Sequence, residues 1–332
     1  MRFTRIAGTG HHVPPRVVTN HDLEQLMDTS DEWIRERTGI RERRFVEPGT
    51  GSSVLGAEAA RAALKDAGWK PTDVQFIVFA TVSPDLYFPG CGVLLQAALG
   101  IPEIGALDVR NQCTGFVYGL AVVDAFIRMG MYDRVLLVGS EVHSAGLQMN
   151  TAGRDTAVLF GDGAGAVCLE VTTGEDGSRL LWHHLHADGR FARELSILSP
   201  GSANSPWITK EMVDDGSAFP HMNGREVFKH AVTRFPEVIE SVLASQKLSR
   251  DDLDLVIPHQ ANERITEAVR KRLGVDESKV YSNIAKYGNT TAASIPIALS
   301  EAVSDGKVKR GNLVCLAAFG SGFTWGASLL RY

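Results

Sequence analysis

Apolar and polar residues alternate along this chain in blocks that predict strands and helices in turn. Residues 74–80 and 134–139 are short apolar runs typical of buried strands, whereas residues 56–67 carry apolar positions at helical spacing. Strands of this kind are repeatedly followed by helices. The alternation indicates an α/β protein with a largely parallel sheet.

The segment around Cys113 has the pattern of a strand, a tight turn and a buried helix. Residues 104–109 predict a short buried strand, and the almost wholly apolar residues 114–127 predict a helix. Cys113 would then lie at a helix N-terminus, where free backbone N–H groups and the helix dipole favour a thiolate. This position predicts a nucleophile, although a small core cysteine would also fit it.

The second half of the chain repeats the pattern of the first. Leu99-Gly100 recurs as Leu273-Gly274, an offset of 174 residues, and the strand at 135–138 recurs at 313–316, an offset of 178. A near-constant offset predicts duplication of one βα unit. We therefore expect an N-terminal half at residues 1–175 and a C-terminal half at residues 176–332. Residues 171–224 are expected to be irregular, with a flap loop near residues 199–220.

The repeat places two polar residues of the second half at strand ends that match the position of Cys113, and one of them, Asn289, is its counterpart. His259 follows an apolar run, and Asn289 lies in a glycine-containing loop 176 residues after Cys113. Alone, His259 fits a structural histidine and Asn289 a turn residue. At matched strand ends facing one crevice, the three residues would form a single site. A thiolate flanked by His and Asn suits acyl transfer through a thioester, including carbon–carbon bond formation.

Composition and charge mainly exclude classes of protein and of binding site. A net charge of −5 gives no global attraction to nucleic acid or membrane, and no apolar run reaches the ~18 residues of a membrane span. Without a recognisable signal peptide, the protein is expected in the cytoplasm with four free thiols. Residues 161–166 have the wrong spacing for a dinucleotide site. The histidines at 183, 184 and 186 lack matching ligands, so we expect no metal and no other cofactor.

Eight motifs spread over the chain resemble those of the ketoacyl-ACP synthase III family (β-ketoacyl-acyl carrier protein synthase III) of the thiolase superfamily. They are Thr29-Ser-Asp-Glu-Trp-Ile, Arg37-Thr-Gly-Ile-Arg-Glu-Arg, Cys113-Thr-Gly-Phe, Phe160-Gly-Asp-Gly-Ala-Gly-Ala, His186-Ala-Asp-Gly, Pro258-His-Gln-Ala-Asn, Gly288-Asn-Thr-Thr-Ala-Ala-Ser and Phe319-Gly-Ser-Gly-Phe-Thr-Trp-Gly. The resemblance implies a thiolase-like fold of duplicated βα units in five αβαβα layers, and a homodimer.

The resemblance also implies an acyltransferase (EC 2.3.1) that initiates fatty acid biosynthesis. Such an enzyme joins an acyl-CoA starter to malonyl-ACP by decarboxylative Claisen condensation, in a ping-pong sequence through acyl-Cys113. His259 and Asn289 would promote decarboxylation and stabilise the enolate. The backbone N–H groups of Cys113 and Ser321 would form the oxyanion hole.

Further residues acquire roles through the resemblance alone. Coenzyme A would act as a substrate carrier rather than a cofactor, and an acidic acyl carrier protein would dock on a basic patch. Phe88 would reach across the dimer to the partner's acyl pocket. The implied positions are Trp33, Arg37, Arg154, Phe228 and Asn262 for coenzyme A; Phe88, Asn111, Gln112 and Phe319 for the acyl pocket; and Lys229, Arg264, Lys271 and Arg272 for the carrier protein.

Some residues depart from the housekeeping pattern of that family. Asn111 and Gln112 replace small residues, Arg225 and Ser321 replace Asn and Gly, and the 199–220 loop is long. These features are similar to specialised relatives, including quinolone-pathway enzymes, that use another starter or malonyl-CoA. Three further classes remain as alternatives: a cysteine thioester hydrolase, a degradative thiolase with a second catalytic cysteine, and a non-catalytic acyl-binding protein.

Overall fold

The computed structural model describes all 332 residues, and its strands form two large sheets and two short two-stranded ones. The thirteen strands are β1 (Phe3–His12), β2 (Val17–Thr19), β3 (Glu42–Arg44), β4 (Phe76–Ala80), β5 (Gly105–Val109), β6 (Arg134–Glu141), β7 (Gly163–Thr172), β8 (Arg179–Ala187), β9 (Leu195–Ser196), β10 (His221–Met222), β11 (Leu255–Pro258), β12 (Leu313–Gly320) and β13 (Thr324–Arg331).

Eleven α-helices cover or separate these sheets. They are α1 (Asn20–Glu24), α2 (Asp31–Thr38), α3 (Ser52–Ala67), α4 (Cys91–Ala98), α5 (Gly115–Arg128), α6 (Arg154–Ala157), α7 (Lys210–Asp214), α8 (Gly224–Ser245), α9 (Glu263–Leu273), α10 (Ile284–Tyr287) and α11 (Ser294–Ser304). None of them combines the length and the apolar character that crossing a bilayer requires.

The first large sheet has the order β1-β7-β6-β4-β5, and the second has the order β11-β12-β13-β8. Three of their seven strand pairs are parallel and four are antiparallel. The expectation of a largely parallel sheet was therefore wrong. Hydrophobic runs identify strands, but the direction of a strand depends on its connections, and the short β12–β13 turn enforces an antiparallel pair.

Two sequence-based expectations about individual segments are also corrected. Strand β5 is not buried: it pairs only with β4, and Leu107 in it is 37% exposed. Its other edge is free. Residues 171–224 are not wholly irregular, because β8 forms an edge of the second sheet and α7 lies within the expected flap loop.

The hydrophobic core runs through five layers. Residues of α5 and α11 pack between the sheets, against inward-facing residues of β6 and β12. Helices α3 and α4 cover the outer face of the first sheet. Helices α8 and α9 cover the outer face of the second. This arrangement confirms the predicted α/β thiolase-like fold. It also directs the C-terminal ends of β5 and β11 toward the region between the two sheets, where the candidate site lies.

Candidate active site

Cys113 lies in a single 3-10 turn, Gln112–Thr114, between β5 and α5. Gln112 adopts a φ of +44°, and the Asn111 side chain supports the turn by donating from Nδ2 to Thr114 Oγ1 at 2.8 Å. A 2.8 Å hydrogen bond joins the hydroxyls of Thr114 and Thr324, which ties the turn to β13. The sequence pattern thus correctly placed the cysteine at a junction of strand and helix.

The resting state of Cys113 differs from the expected thiolate. The side chain is buried, and that burial raises the pKa of the thiol to about 12. The buried Glu141 carboxyl raises this pKa further, whereas the backbone amides of Ser321 and Cys113 lower it. Loss of hydration outweighs the stabilisation offered by the turn. The free enzyme therefore holds a protonated Cys113.

The chain segment after β12 lies directly against this cysteine. A Cβ atom built on Gly320 would come within 2.7 Å of Cys113 Sγ and would approach Cys113 Cβ even more closely. Only glycine leaves room for the sulfur at this position. The next residue, Ser321, provides the backbone amide that favours the thiolate, and its side chain is anchored by donation to Leu195 O.

His259 follows β11 and is held from two sides. Its backbone N–H donates to Ala317 O at 2.8 Å, and its Nδ1 lies 2.7 Å from Ser294 Oγ. Its Nε2 is buried without a partner in the chain. Burial, with a smaller contribution from His143, lowers the pKa of His259 to about 3. The side chain is therefore a neutral imidazole with one unengaged nitrogen.

Asn289 is fixed by the backbone on both sides. Its N–H donates to Leu159 O at 2.8 Å, and its carbonyl accepts from Gly161 N–H at 3.0 Å. The side-chain Oδ1 accepts from the Thr291 backbone N–H at 2.9 Å. Because Oδ1 is occupied, the Nδ2 amide group is the free donor of this residue.

The structure brings Cys113, His259 and Asn289 together in one cavity of about 130 Å³, the tunnel cavity. Its remaining lining is mostly apolar and includes the predicted positions Phe228, Asn262 and Phe319. The full lining is Cys113, Leu159, Phe160, Leu195, Met222, Gly224, Val227, Phe228, Ala231, Phe235, His259, Ala261, Asn262, Ile265, Asn289, Phe319 and Gly320. Phe319 therefore faces the tunnel cavity.

Three predicted coenzyme A residues form one cluster outside this cavity. The guanidinium carbons of Arg37 and Arg154 lie 4.6 and 4.9 Å from the centre of the Trp33 ring. Asn262 links the cluster to the tunnel cavity, because its Nδ2 donates to Arg37 O at 2.9 Å while its Oδ1 caps α9 through the Arg264 N–H. An aromatic ring with two cations is therefore connected to the tunnel lining.

The predicted carrier-protein residues occupy neighbouring surfaces of α8 and α9. Lys229, Arg264, Lys271 and Arg272 are all exposed. Lys229 pairs with Glu226 at 3.3 Å and Lys271 with Glu267 at 3.1 Å, so acidic neighbours offset part of the charge. The Arg264 guanidinium lies 5.8 Å from the Phe228 ring centre, beside the tunnel lining, and Arg225 is exposed at the start of α8.

A second cavity, of about 420 Å³, also reaches Cys113. It shares Phe160 and Leu195 with the tunnel cavity, and it includes Gln112 among the predicted acyl-pocket residues. Its lining is Val82, Ser83, Arg110, Gln112, Cys113, Val142, His143, Gly146, Leu147, Phe160, Leu195, Ser196, Ile197, Pro220, Thr291 and Ser321. The two cavities that reach Cys113 include neither Asn111, which supports the turn, nor Phe88, which is 79% exposed.

Sequence reasoning missed three polar residues at this site, namely Arg110, Glu141 and His143. Glu141 accepts hydrogen bonds from the Thr81 and Ser83 hydroxyls and from the amides of Val82, Ser83 and Ala292. Its burial raises its pKa to about 7. A charged residue ending the apolar strand β6 was the available signal for Glu141. Arg110 directly precedes the Asn111-Gln112 pair that the sequence had marked as unusual.

Comparison with known proteins agrees with this geometry. Family models described as 3-Oxoacyl-[acyl-carrier-protein (ACP)] synthase III and its C terminal part match residues 107–189 and 243–332. The chain is 45% identical over 332 residues to a beta-ketoacyl-[acyl-carrier-protein] synthase III of Acidiphilium cryptum, with 100% of both chains covered. A relative of the same name from Caldanaerobacter subterraneus is 44% identical, with 98% of this chain and 97% of the relative covered.

A solved structure supports the same assignment. The 3-oxoacyl-[acyl-carrier-protein] synthase III of Aquifex aeolicus superimposes with a TM-score of 0.90 at 43% identity, covering 99% of this chain and 100% of the other. Similarity of this extent includes the fold and the segments that carry the cysteine, histidine and asparagine. The chain belongs to the 3-oxoacyl-[acyl-carrier-protein] synthase III family, and it is a condensing enzyme of the acyltransferase type.

Proposed function

We propose that this enzyme condenses an acyl-CoA starter with malonyl-ACP to give a 3-oxoacyl product, in two half-reactions through acyl-Cys113. The observation that carries the proposal is the shared tunnel cavity. In it a buried thiol, a neutral histidine with an unengaged Nε2 and an asparagine with a free Nδ2 meet. This set combines a nucleophile with two donors for a developing oxyanion.

In the first half-reaction, Cys113 Sγ attacks the thioester carbonyl and coenzyme A leaves. The cysteine proton ends on the departing sulfur, so no net charge is left in the buried site. The amides of Cys113 and Ser321 would hold the oxyanion of the tetrahedral intermediate, and their lowering of the thiol pKa supports this role. The second cavity would then receive the acyl group.

In the second half-reaction, the malonyl thioester loses CO2 and its enolate attacks the acyl-Cys113 carbonyl. The Cys113 thiolate released in this attack takes up one proton from solvent, which restores the thiol. His259 helps the enolate only if Nε2 carries a proton, and donation from the Ser294 hydroxyl to Nδ1 favours that tautomer. Asn289 Nδ2 is the second donor. Both groups are neutral and already positioned, which limits the reorganisation required in the transition state.

The surroundings of the tunnel cavity fit the remaining partners. Adenine would stack on Trp33, and Arg37 and Arg154 would meet the phosphates of coenzyme A, with the pantetheine arm passing Asn262 and Phe228. The acidic carrier protein would dock on Lys229, Arg264, Lys271 and Arg272. Coenzyme A enters as part of a substrate, and the mechanism needs no metal.

A homodimer and a cytoplasmic location complete the proposal. Support for the dimer comes from the free edge of β5, which can pair with a second copy, and from the exposed Phe88, which would reach a partner's site. The four unpaired cysteines suit a reducing compartment. The proposed division into halves at residues 1–175 and 176–332 is supported by the two large sheets, whose strands lie within residues 3–172 and 179–331.

Intact mass spectrometry tests the proposal directly. Mixing the enzyme with a panel of acyl-CoAs should add one acyl mass to the wild type and to Cys315→Ala, but none to Cys113→Ala. Adding malonyl-ACP should remove that mass and release 3-oxoacyl-ACP. Absence of any adduct, or an equal adduct on Cys113→Ala, would contradict the proposal. Rapid thioester loss without malonyl-ACP would instead indicate a hydrolase.

The same assay separates the two half-reactions. Asn289→Ala should still become acylated, because the first oxyanion uses backbone amides. It should lose condensation by about 10²–10³-fold, the usual effect of removing one oxyanion donor. An equal loss in both half-reactions would show that Asn289 serves the nucleophile rather than the enolate.

A further inference from the structure

The second cavity differs in character from the tunnel cavity, although both reach Cys113. The tunnel cavity is lined mainly by apolar side chains, which suits a neutral pantetheine arm. The second cavity carries a guanidinium, an amide, an imidazole and several hydroxyls, contributed by Arg110, Gln112, His143, Ser83, Ser196, Thr291 and Ser321. A pocket for a purely aliphatic acyl group would be expected to be apolar, because an alkyl chain cannot replace the hydration of such groups.

Two of these groups have unused hydrogen-bonding capacity. The side chains of Arg110 and Gln112 take part in no hydrogen bond or ion pair within the chain, and both are at least partly accessible. Arg110 directly follows β5, and Gln112 is the first residue of the Cys113 turn. The donors of both side chains therefore belong to residues within three positions of the nucleophile Cys113.

His143 forms a fixed part of the wall of the second cavity. Its Nε2 lies 2.7 Å from Thr291 Oγ1, its ring centre lies 4.7 Å from that of Phe160, and its backbone N–H donates to Asp162 Oδ1 at 2.7 Å. Burial lowers the pKa of His143 to about 4, so the ring is neutral. It offers hydrogen bonds without an additional charge.

The lining contains no acidic residue. Glu141, whose carboxyl raises the pKa of Cys113, does not line this cavity and accepts hydrogen bonds from Ser83 and Val82. Its raised pKa, about 7, means that its negative charge is reduced near neutral pH. The accessible charge in the second cavity is therefore positive, and it is supplied by Arg110.

We propose that the acyl group loaded on Cys113 ends in a carboxylate, so that the starter is the CoA monothioester of a short dicarboxylic acid. Arg110 and Gln112 bind the terminal carboxylate in the second cavity. This inference rests on the proposed function and specifies its first substrate. A guanidinium can hold a carboxylate through two parallel hydrogen bonds, which gives both charge and shape selectivity. The condensation chemistry at His259 and Asn289 is unchanged.

The test compares acyl-CoAs of matched length by the rate of acylation of Cys113. Glutaryl-CoA and succinyl-CoA should acylate the wild type at least tenfold more efficiently than valeryl-CoA and butyryl-CoA, as measured by intact mass at several concentrations. Arg110→Met should reduce the glutaryl-to-valeryl ratio of kcat/KM by tenfold or more. Arg110→Glu should reduce it further, because it places a like charge in the cavity.

Arg61→Met is the matched control, since it removes an exposed arginine on α3, away from both cavities. It should leave the ratio unchanged. A wild type that prefers valeryl-CoA, or an Arg110→Met ratio equal to that of the wild type, would overturn the inference. Failure of every acyl-CoA to label Cys113 would instead refute the proposed function.

Discussion

Replacing Gly320 by alanine is the most direct test of how tightly the site is built around Cys113. The added Cβ would lie 2.7 Å from Cys113 Sγ, about 0.7 Å closer than ordinary van der Waals contact allows, and closer still to Cys113 Cβ. Gly320 is the last residue of β12 and pairs with Thr324, and its φ lies outside the left-handed region. Alanine is therefore not excluded by backbone strain, and the expected effect is steric.

The size of the effect of Gly320→Ala depends on how far the Cys113 sulfur can move. Cys113 is buried and its turn is tied to β13 through Thr114, so the sulfur cannot move freely into solvent. Overpacking of this kind costs about 1–3 kcal/mol of stability. A nucleophile displaced by nearly 1 Å loses about 10²-fold in rate. We expect a folded Gly320→Ala enzyme whose acylation is slowed by about two orders of magnitude.

Single-turnover acylation followed by intact mass spectrometry measures the rate, and urea unfolding measures the stability. Gly189→Ala is the control, because a Cβ at Gly189 would meet nothing within 4 Å and this residue also has no positive φ. It should match the wild type in both measurements. If Gly320→Ala acylates within threefold of the wild type, the sulfur has room to adjust and the steric reasoning is refuted.

Two further predictions concern His259. Ser294→Ala should slow condensation about tenfold and shift the pH profile of condensation, while acylation stays unchanged. The reason is that the His259 tautomer that donates from Nε2 loses its hydrogen-bond partner at Nδ1. An unchanged pH profile in a steady-state condensation assay would count against this role of Ser294. The folded-state pKa of His259 lies near 3, below the ~6.5 of an unfolded histidine, so its stabilising contribution is present above pH 6.5 and is lost as the pH falls. Between pH 6.5 and 4, the free energy of unfolding in urea should rise with pH less steeply in His259→Gln than in the wild type, by about 1.4 kcal/mol per pH unit. Identical slopes in the two proteins would mean that the imidazole is not buried in its neutral form.

The sequence determined the class of fold and the three central residues. Hydrophobic periodicity located strands and helices, since burial imposes that pattern locally. The repeat offset aligned Cys113 with Asn289, because duplicated units place equivalent loops at equivalent strand ends. His259 was found by a different signal, as a polar residue directly after an apolar run that predicts a buried strand. The structure brings these residues into one cavity.

Only the tertiary structure decided the states of these residues and the character of their surroundings. The sequence places Cys113 at a helix N-terminus, which favours a low pKa, but burial raises the pKa of its thiol. This burial depends on atoms contributed by many parts of the chain. The sequence of β5 predicts a buried strand, but the order of strands in the sheet places β5 at an edge. Arg110 and His143 are far apart in sequence and meet only in the folded second cavity. Local sequence fixes propensity and pattern, whereas burial, edge position and the groups that face one another arise from contacts between distant segments.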